Sequence, residues 1–109
     1  MGIGPSLAAW GKHGRFQYAG SIATGTRIIL GRGKEVIVEA QTYAELLSHF
    51  RGRSVPIGAS RRPARDSLGG WLQSRTGRES MAAFVGPILV EEGAAAREGR
   101  DMIAFGKIS

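Results

Sequence analysis

The sequence predicts an α+β domain with a mostly antiparallel sheet, and three observations carry that prediction. Runs rich in isoleucine, valine and aromatic residues are short and set off by glycines. The segment at about 42–51 repeats its apolar residues at the spacing of a helix face. Glycine accounts for 17 of 109 residues, against a usual share of about 7%, and so many tight turns suit short strands better than long helices. Strands this short also leave a curled, partly barrel-like sheet open. A chain of this length buries enough surface for one core, and no repeat or second domain is visible in it.

Residues 1–14 read as a glycine-rich N-terminal arm, irregular and docked through Trp10, ahead of a single α+β domain over 15–109. In 15–19, Phe16 and Tyr18 stand two residues apart, which sends both rings to one face of a strand that Gly20 ends. The runs 26–30 and 35–39 flank a short glycine-containing turn at 31–34, the pattern of a β-hairpin. The helix follows. Thr42 and Glu45 have capping-box spacing, Tyr43, Leu46, Leu47 and Phe50 form one apolar stripe, and Gly52 suits a left-handed end. Residues 55–58 read as a short extended piece and 59–65 as a polar loop broken by Pro63. Ser67 is placed to cap a short helix over about 67–75, with Leu68, Trp71 and Leu72 on one face. Gly69 and Gly70 count against that helix, unless they mark a backbone packed close to another. The apolar runs 81–85 and 88–91, parted by Gly86 and Pro87, read as kinked or bulged strands at a sheet edge. Residues 92–100 read as a loop or a single helical turn, and 101–105 as a final strand with Ile103 and Phe105 on one side.

Composition excludes several classes. Hydrophobic residues make up 42% and charged residues 22%, the balance of a globular chain rather than a disordered one. Without cysteine there is neither a disulfide nor a thiolate metal site. No run approaches the roughly 18 apolar residues of a membrane span, and no secretory leader is visible, so a cytoplasmic protein with no membrane partner is the expectation. His13 and His49 are too few for a metal centre, and no serine or glycine-rich motif frames a nucleophile or a phosphate loop. No cofactor, metal or catalytic residue is therefore expected, and a non-enzymatic role is favoured. An enzyme built on Glu45 and His49, which stand one helical turn apart, ranks last.

Charge is the informative feature. The net charge is +6, and all of it falls within 51–78. Arg51 and Arg53 leave the first helix, where they also suit the negative end of its dipole. Arg61, Arg62 and Arg65 surround Pro63, while Arg75 and Arg78 follow the second helix. Asp66 is the segment's sole acid. A GC-rich genome explains a high arginine count, but not why the acids avoid the middle of the chain. Guanidinium forks match phosphate oxygens, so these seven arginines with Trp71 are the candidate anion-binding face, for nucleic acid or another polyanion. The 42–51 and 67–75 helices are joined by a connection too long for a helix-turn-helix. The alternative is a structural or interaction protein that homodimerises, or binds another protein, through an exposed sheet edge near 84–90.

Overall fold

A computed structural model describes residues 6–11, 14–30, 33–59 and 62–106. The chain runs β1 (Ser6–Ala8), β2 (Arg15–Ser21), β3 (Gly25–Ile29), β4 (Glu35–Val38), α1 (Ala40–Phe50), β5 (Ser54–Pro56), α2 (Leu68–Thr76), α3 (Ala82–Glu91), β6 (Ala95–Glu98) and β7 (Met102–Phe105). Two antiparallel sheets result, one in the order β1-β2-β3-β4 and one in the order β5-β7-β6. The fold is α+β as expected, but among the described residues the strands form two open sheets and no closed barrel.

Alternation builds the first sheet. Phe16, Tyr18, Thr26, Ile28, Val36 and Val38 are buried, while the residues between them are exposed or half-buried. Tyr18 pairs across to Ile28, and Ile28 to Val36, so the inward side chains line up over one core. Gly20 does not end β2. The strand continues to Ser21, and Gly20 sits inside it at φ +89°, where a Cβ would collide with the carbonyl oxygen of Gly25. The arm contributes an edge strand of its own, pairing Leu7 with Phe16.

Helix α1 follows β4 after one residue. Tyr43, Leu46 and Phe50 are buried, and Gly52 adopts φ +68° beyond the helix end, both as the spacing implies. The capping box is a misplacement. Glu39 stands at the N-cap without a side-chain bond, and its carbonyl accepts from the Tyr43 N–H at 3.2 Å, so Thr42 lies inside the first turn. The strand hands the chain straight into the helix, and burial of the stripe rather than a cap sets its start.

Helix α2 begins where Ser67 implies. Its hydroxyl accepts from the Gly70 N–H at 2.9 Å and donates to the Ala64 carbonyl at 2.6 Å. Gly69 and Gly70 mark close backbone packing, since a Cβ on Gly69 would strike the Gly58 carbonyl and one on Gly70 the Ala64 carbonyl. Gly77 then closes the helix at φ +74°.

Residues 82–91 overturn the strand expectation. They form α3, with Pro87 inside it and Ala82, Ala83, Val85, Gly86, Ile88 and Leu89 buried. A helix apolar all round is a buried helix, and periodicity cannot tell it from a buried strand. Proline inside a helix removes the N–H that would reach the carbonyl four residues back. That carbonyl belongs to Ala83, and it accepts instead from the backbone N–H of Trp10 at 2.9 Å. The Trp10 ring lies against Gly86, where any Cβ would collide with it, and the Arg97 guanidinium lies 4.7 Å from the ring centre. The arm therefore does dock through Trp10, and it fills the bond that Pro87 vacates. This also removes the proposed sheet edge at 84–90, because that segment is a helix packed into the core. Residues 95–98, within the stretch read as a loop or a single helical turn, instead pair with β7 as a strand.

Two buried tyrosines tie the first sheet to the helices. The Tyr43 hydroxyl and Thr26 Oγ1 share a 2.6 Å hydrogen bond, and the Tyr18 hydroxyl donates to Glu92 Oε2 at 2.8 Å. Burial pushes Tyr43 from its ordinary 10.0 up to about 12. Tyr18 is pushed up as well, first by burial and then by its bond to Glu92 and that residue's charge. A folded-state pKa above the unfolded one gives stability that is complete below the unfolded value and lost as pH rises through the folded value. The urea midpoint should therefore hold to about pH 10 and fall from there through about pH 12. Circular dichroism across that range measures it, and Tyr18→Phe should make the fall shallower.

Candidate functional site

The outer side of α1 supplies one wall of the site. Gln41, Ala44, Glu45, Ser48 and His49 repeat at helical spacing opposite the buried stripe, and they face Trp71 and Arg75 of α2 across an open groove of about 540 Å³. Trp71 and Arg75 are also one turn apart, so they meet on one face. The Arg75 guanidinium lies 5.0 Å from the Trp71 ring centre, a cation–π contact. The His49 ring stacks on Trp71 at 6.0 Å and 30°. Beneath them the buried Phe50 ring meets His49 edge-on at 4.7 Å and Trp71 at 6.2 Å. Arg53 extends the cluster. Its guanidinium lies 5.7 Å from the Phe50 ring centre and donates to the His49 carbonyl at 3.4 Å.

Among the described residues, Glu45 is the one carboxylate lining the groove. It takes an ion pair from Arg75 at 2.7 Å and a hydrogen bond from Gln41 at 3.1 Å. The sequence pairs Glu45 with His49, whereas Arg75, brought in on α2, holds it instead. Half of the Arg75 side chain is exposed, and an ion pair this solvated contributes little, so an anion can compete for the guanidinium.

The predicted site residues do not share one place. Arg53, Trp71 and Arg75 share the aromatic cluster. Arg51 lines a neighbouring hollow of about 450 Å³ that meets the groove at Ser48 and continues to Gly93 and Phe105. Arg78 lies elsewhere, in a hollow against β3 and β4. Arg62 and Arg65 are exposed in the loop before α2 and line neither the groove nor that hollow. Arg61 lies outside the described residues. Sequence reasoning missed Gln41 and Ser48 and undervalued His49. The signal was the polar stripe 41, 45, 48, 49 on the helix side opposite Tyr43 and Phe50.

Helices α2 and α3 are consecutive in the chain, although their connection exceeds the turn of about 3–4 residues that a helix-turn-helix has. Gly77 opens the five-residue connection between them, and the β6–β7 hairpin follows. In DNA readers of this kind the second helix enters the major groove. Here that helix reads AAFVGPILVE, has no basic residue and is largely buried. It offers nothing to base edges.

Among the described residues no three histidine, aspartate or glutamate side chains gather to hold a metal ion, and no helix is long and apolar enough to cross a membrane. Compared with protein-family models, curated proteins and solved structures, the chain matches none. Fold and site together define a small α+β domain bearing an open groove in which His49 and Trp71 stack beside the Arg75 guanidinium.

Proposed function

We propose that this protein is a non-enzymatic binding module whose α1–α2 groove takes a phosphate-bearing polyanion, best matched by single-stranded nucleic acid. The observation that carries the reading is the interleaving of rings and cations, with Arg75 on Trp71, His49 stacked beside it and Arg53 on Phe50. Single strands are held by a basic groove that tracks phosphates and by aromatic rings on which bases stack. Duplex reading is disfavoured because the helix that would enter a groove is apolar. An enzymatic role is disfavoured because the groove's carboxylate is engaged by Arg75.

Fluorescence anisotropy with labelled single-stranded DNA and RNA tests it at about 50 and about 200 mM salt. Neutralising three phosphates with Arg51, Arg53 and Arg75 gives a log–log salt slope of about −2 on a single strand. Trp71→Ala should weaken binding roughly tenfold through lost stacking. Arg75→Ala should also flatten the slope by about 0.7. Absence of binding at the lower salt, or unaltered binding by both variants, removes the proposal.

A second reading, homodimerisation, keeps one specific observation. Ile37 is 67% exposed on β4, which stands at the edge of its sheet, and an exposed edge invites strand pairing. Light scattering after gel filtration separates the two, since a dimer broken by Ile37→Lys would favour this second reading.

A further inference from the structure

The groove between α1 and α2 is crossed by two rungs. Glu45 and Arg75 pair across it at 2.7 Å, and His49 and Trp71 stack across it at 6.0 Å and 30°. Glu45 and His49 stand one helical turn apart on α1, as Trp71 and Arg75 do on α2. A charged rung therefore lies about 6 Å along the helix from an aromatic one. One guanidinium joins the two, since Arg75 also lies 5.0 Å from the Trp71 ring centre.

A carboxylate is out of place in a groove that holds phosphates alone, because it repels them. Glu45 is nonetheless fixed there from both sides. Its Oε1 faces Arg75 Nη2, and its Oε2 accepts from Gln41 Nε2 at 3.1 Å. These two partners do not exhaust it. A carboxylate only accepts, at about four lone-pair sites, so capacity remains on each oxygen. The side chain is 37% exposed, which leaves that capacity open to a ligand. The Arg75 guanidinium has more donors than Glu45 uses, so it can meet a phosphate without releasing the carboxylate.

We infer that Glu45 selects among bases and favours cytosine over uracil, an inference that rests on the single-strand reading of the groove. A base stacked at the His49 and Trp71 rung turns its edge toward the Glu45 and Arg75 rung. Cytosine presents its N4 amine there, a donor that a carboxylate accepts. Uracil presents a carbonyl oxygen at the same position, so acceptor meets acceptor and neither is satisfied. Stacking does not separate the two, since the rings are the same size. Phosphate contacts do not separate them either, because the backbone is common to both. The discrimination falls on the carboxylate.

Oligo(C) and oligo(U) of about 12 nucleotides, within the length such grooves cover, are compared by fluorescence anisotropy on the full chain at neutral pH and about 50 mM salt. Oligo(C) should bind about tenfold more tightly. Glu45→Gln, whose amide both donates and accepts, should bring the two to parity by tightening oligo(U). If Glu45 only braces Arg75, the variant weakens both oligomers alike and the preference survives, which overturns the inference. Equal binding of the two by the unaltered protein also overturns it, and leaves the groove reading standing. Binding of neither removes the groove reading and this inference with it.

Discussion

Gly69→Ala should destabilise the protein by about 3 kcal/mol or more, the reverse of what this substitution does in an ordinary helix. Glycine within a helix is about 1 kcal/mol worse than alanine, so on propensity alone the variant gains stability. Packing decides otherwise. Gly69 is buried in the first turn of α2, and a Cβ there would overlap the Gly58 carbonyl oxygen and press on Pro63. The obstacle is backbone, which cannot rotate away as a long side chain would. Nor can the helix back off freely, because the Gly69 N–H donates to the Ile57 carbonyl at 2.9 Å. Gly58 is constrained in return, at φ +64° with its own would-be Cβ running into Ser67. The two glycines thus form a crossing point that fixes α2 against the segment leaving β5. Urea denaturation measures the loss. Gly77→Ala is the control, since its φ is +74° but nothing lies within 4 Å of a Cβ there; it should cost only about 1 kcal/mol, from backbone strain. An alanine at 69 that leaves the urea midpoint unchanged or raised would falsify the crossing.

What could be read from the sequence follows what is local. The strands over 15–19, 26–30 and 35–39 announce themselves by alternation, and α1 by a stripe whose spacing no strand shares. The doubled glycine at 69 and 70 signals close approach, though not what approaches. The failures share a cause: a distant residue decides. Pro87 argues for a strand until Trp10, far away in sequence, supplies the N–H that satisfies the Ala83 carbonyl. The Thr42 and Glu45 spacing is a sound start signal that the strand before it overrides. Residues 95–98 have little strand preference of their own and pair because β7 lies beside them. The site divides the same way. The turn between Trp71 and Arg75 is a local spacing, whereas their meeting with His49 and Glu45 depends on α2 lying along α1. Charge density alone groups Arg78 with the others, but the left-handed Gly77 stands between them and leaves Arg78 in another hollow.

The second large effect is expected at Phe50, where fold and groove depend on the same ring. Phe50→Ala should cost roughly 3–5 kcal/mol, a large share of the ~5–15 kcal/mol that holds a domain together. The side chain is 1% exposed and stacks on Phe105 at 5.1 Å and 17°, which joins α1 to the last strand. Its other ring contacts are with two residues that line the groove, His49 edge-on at 4.7 Å and Trp71 at 6.2 Å, and the Arg53 guanidinium lies 5.7 Å from its centre. Removing the ring leaves a cavity beneath His49 and Trp71 and takes from Arg53 the surface it lies on. Phe50→Leu fills much of the volume without the aromatic edges, so it separates the two roles. It should retain most of the stability in urea denaturation, yet lower single-strand affinity through the loosened rings above it. Leucine at 50 with full affinity would show that the groove is organised by α1 and α2 alone. Loss of affinity in a variant that still folds would place the ring pair and its guanidinium partners on a support supplied by the core.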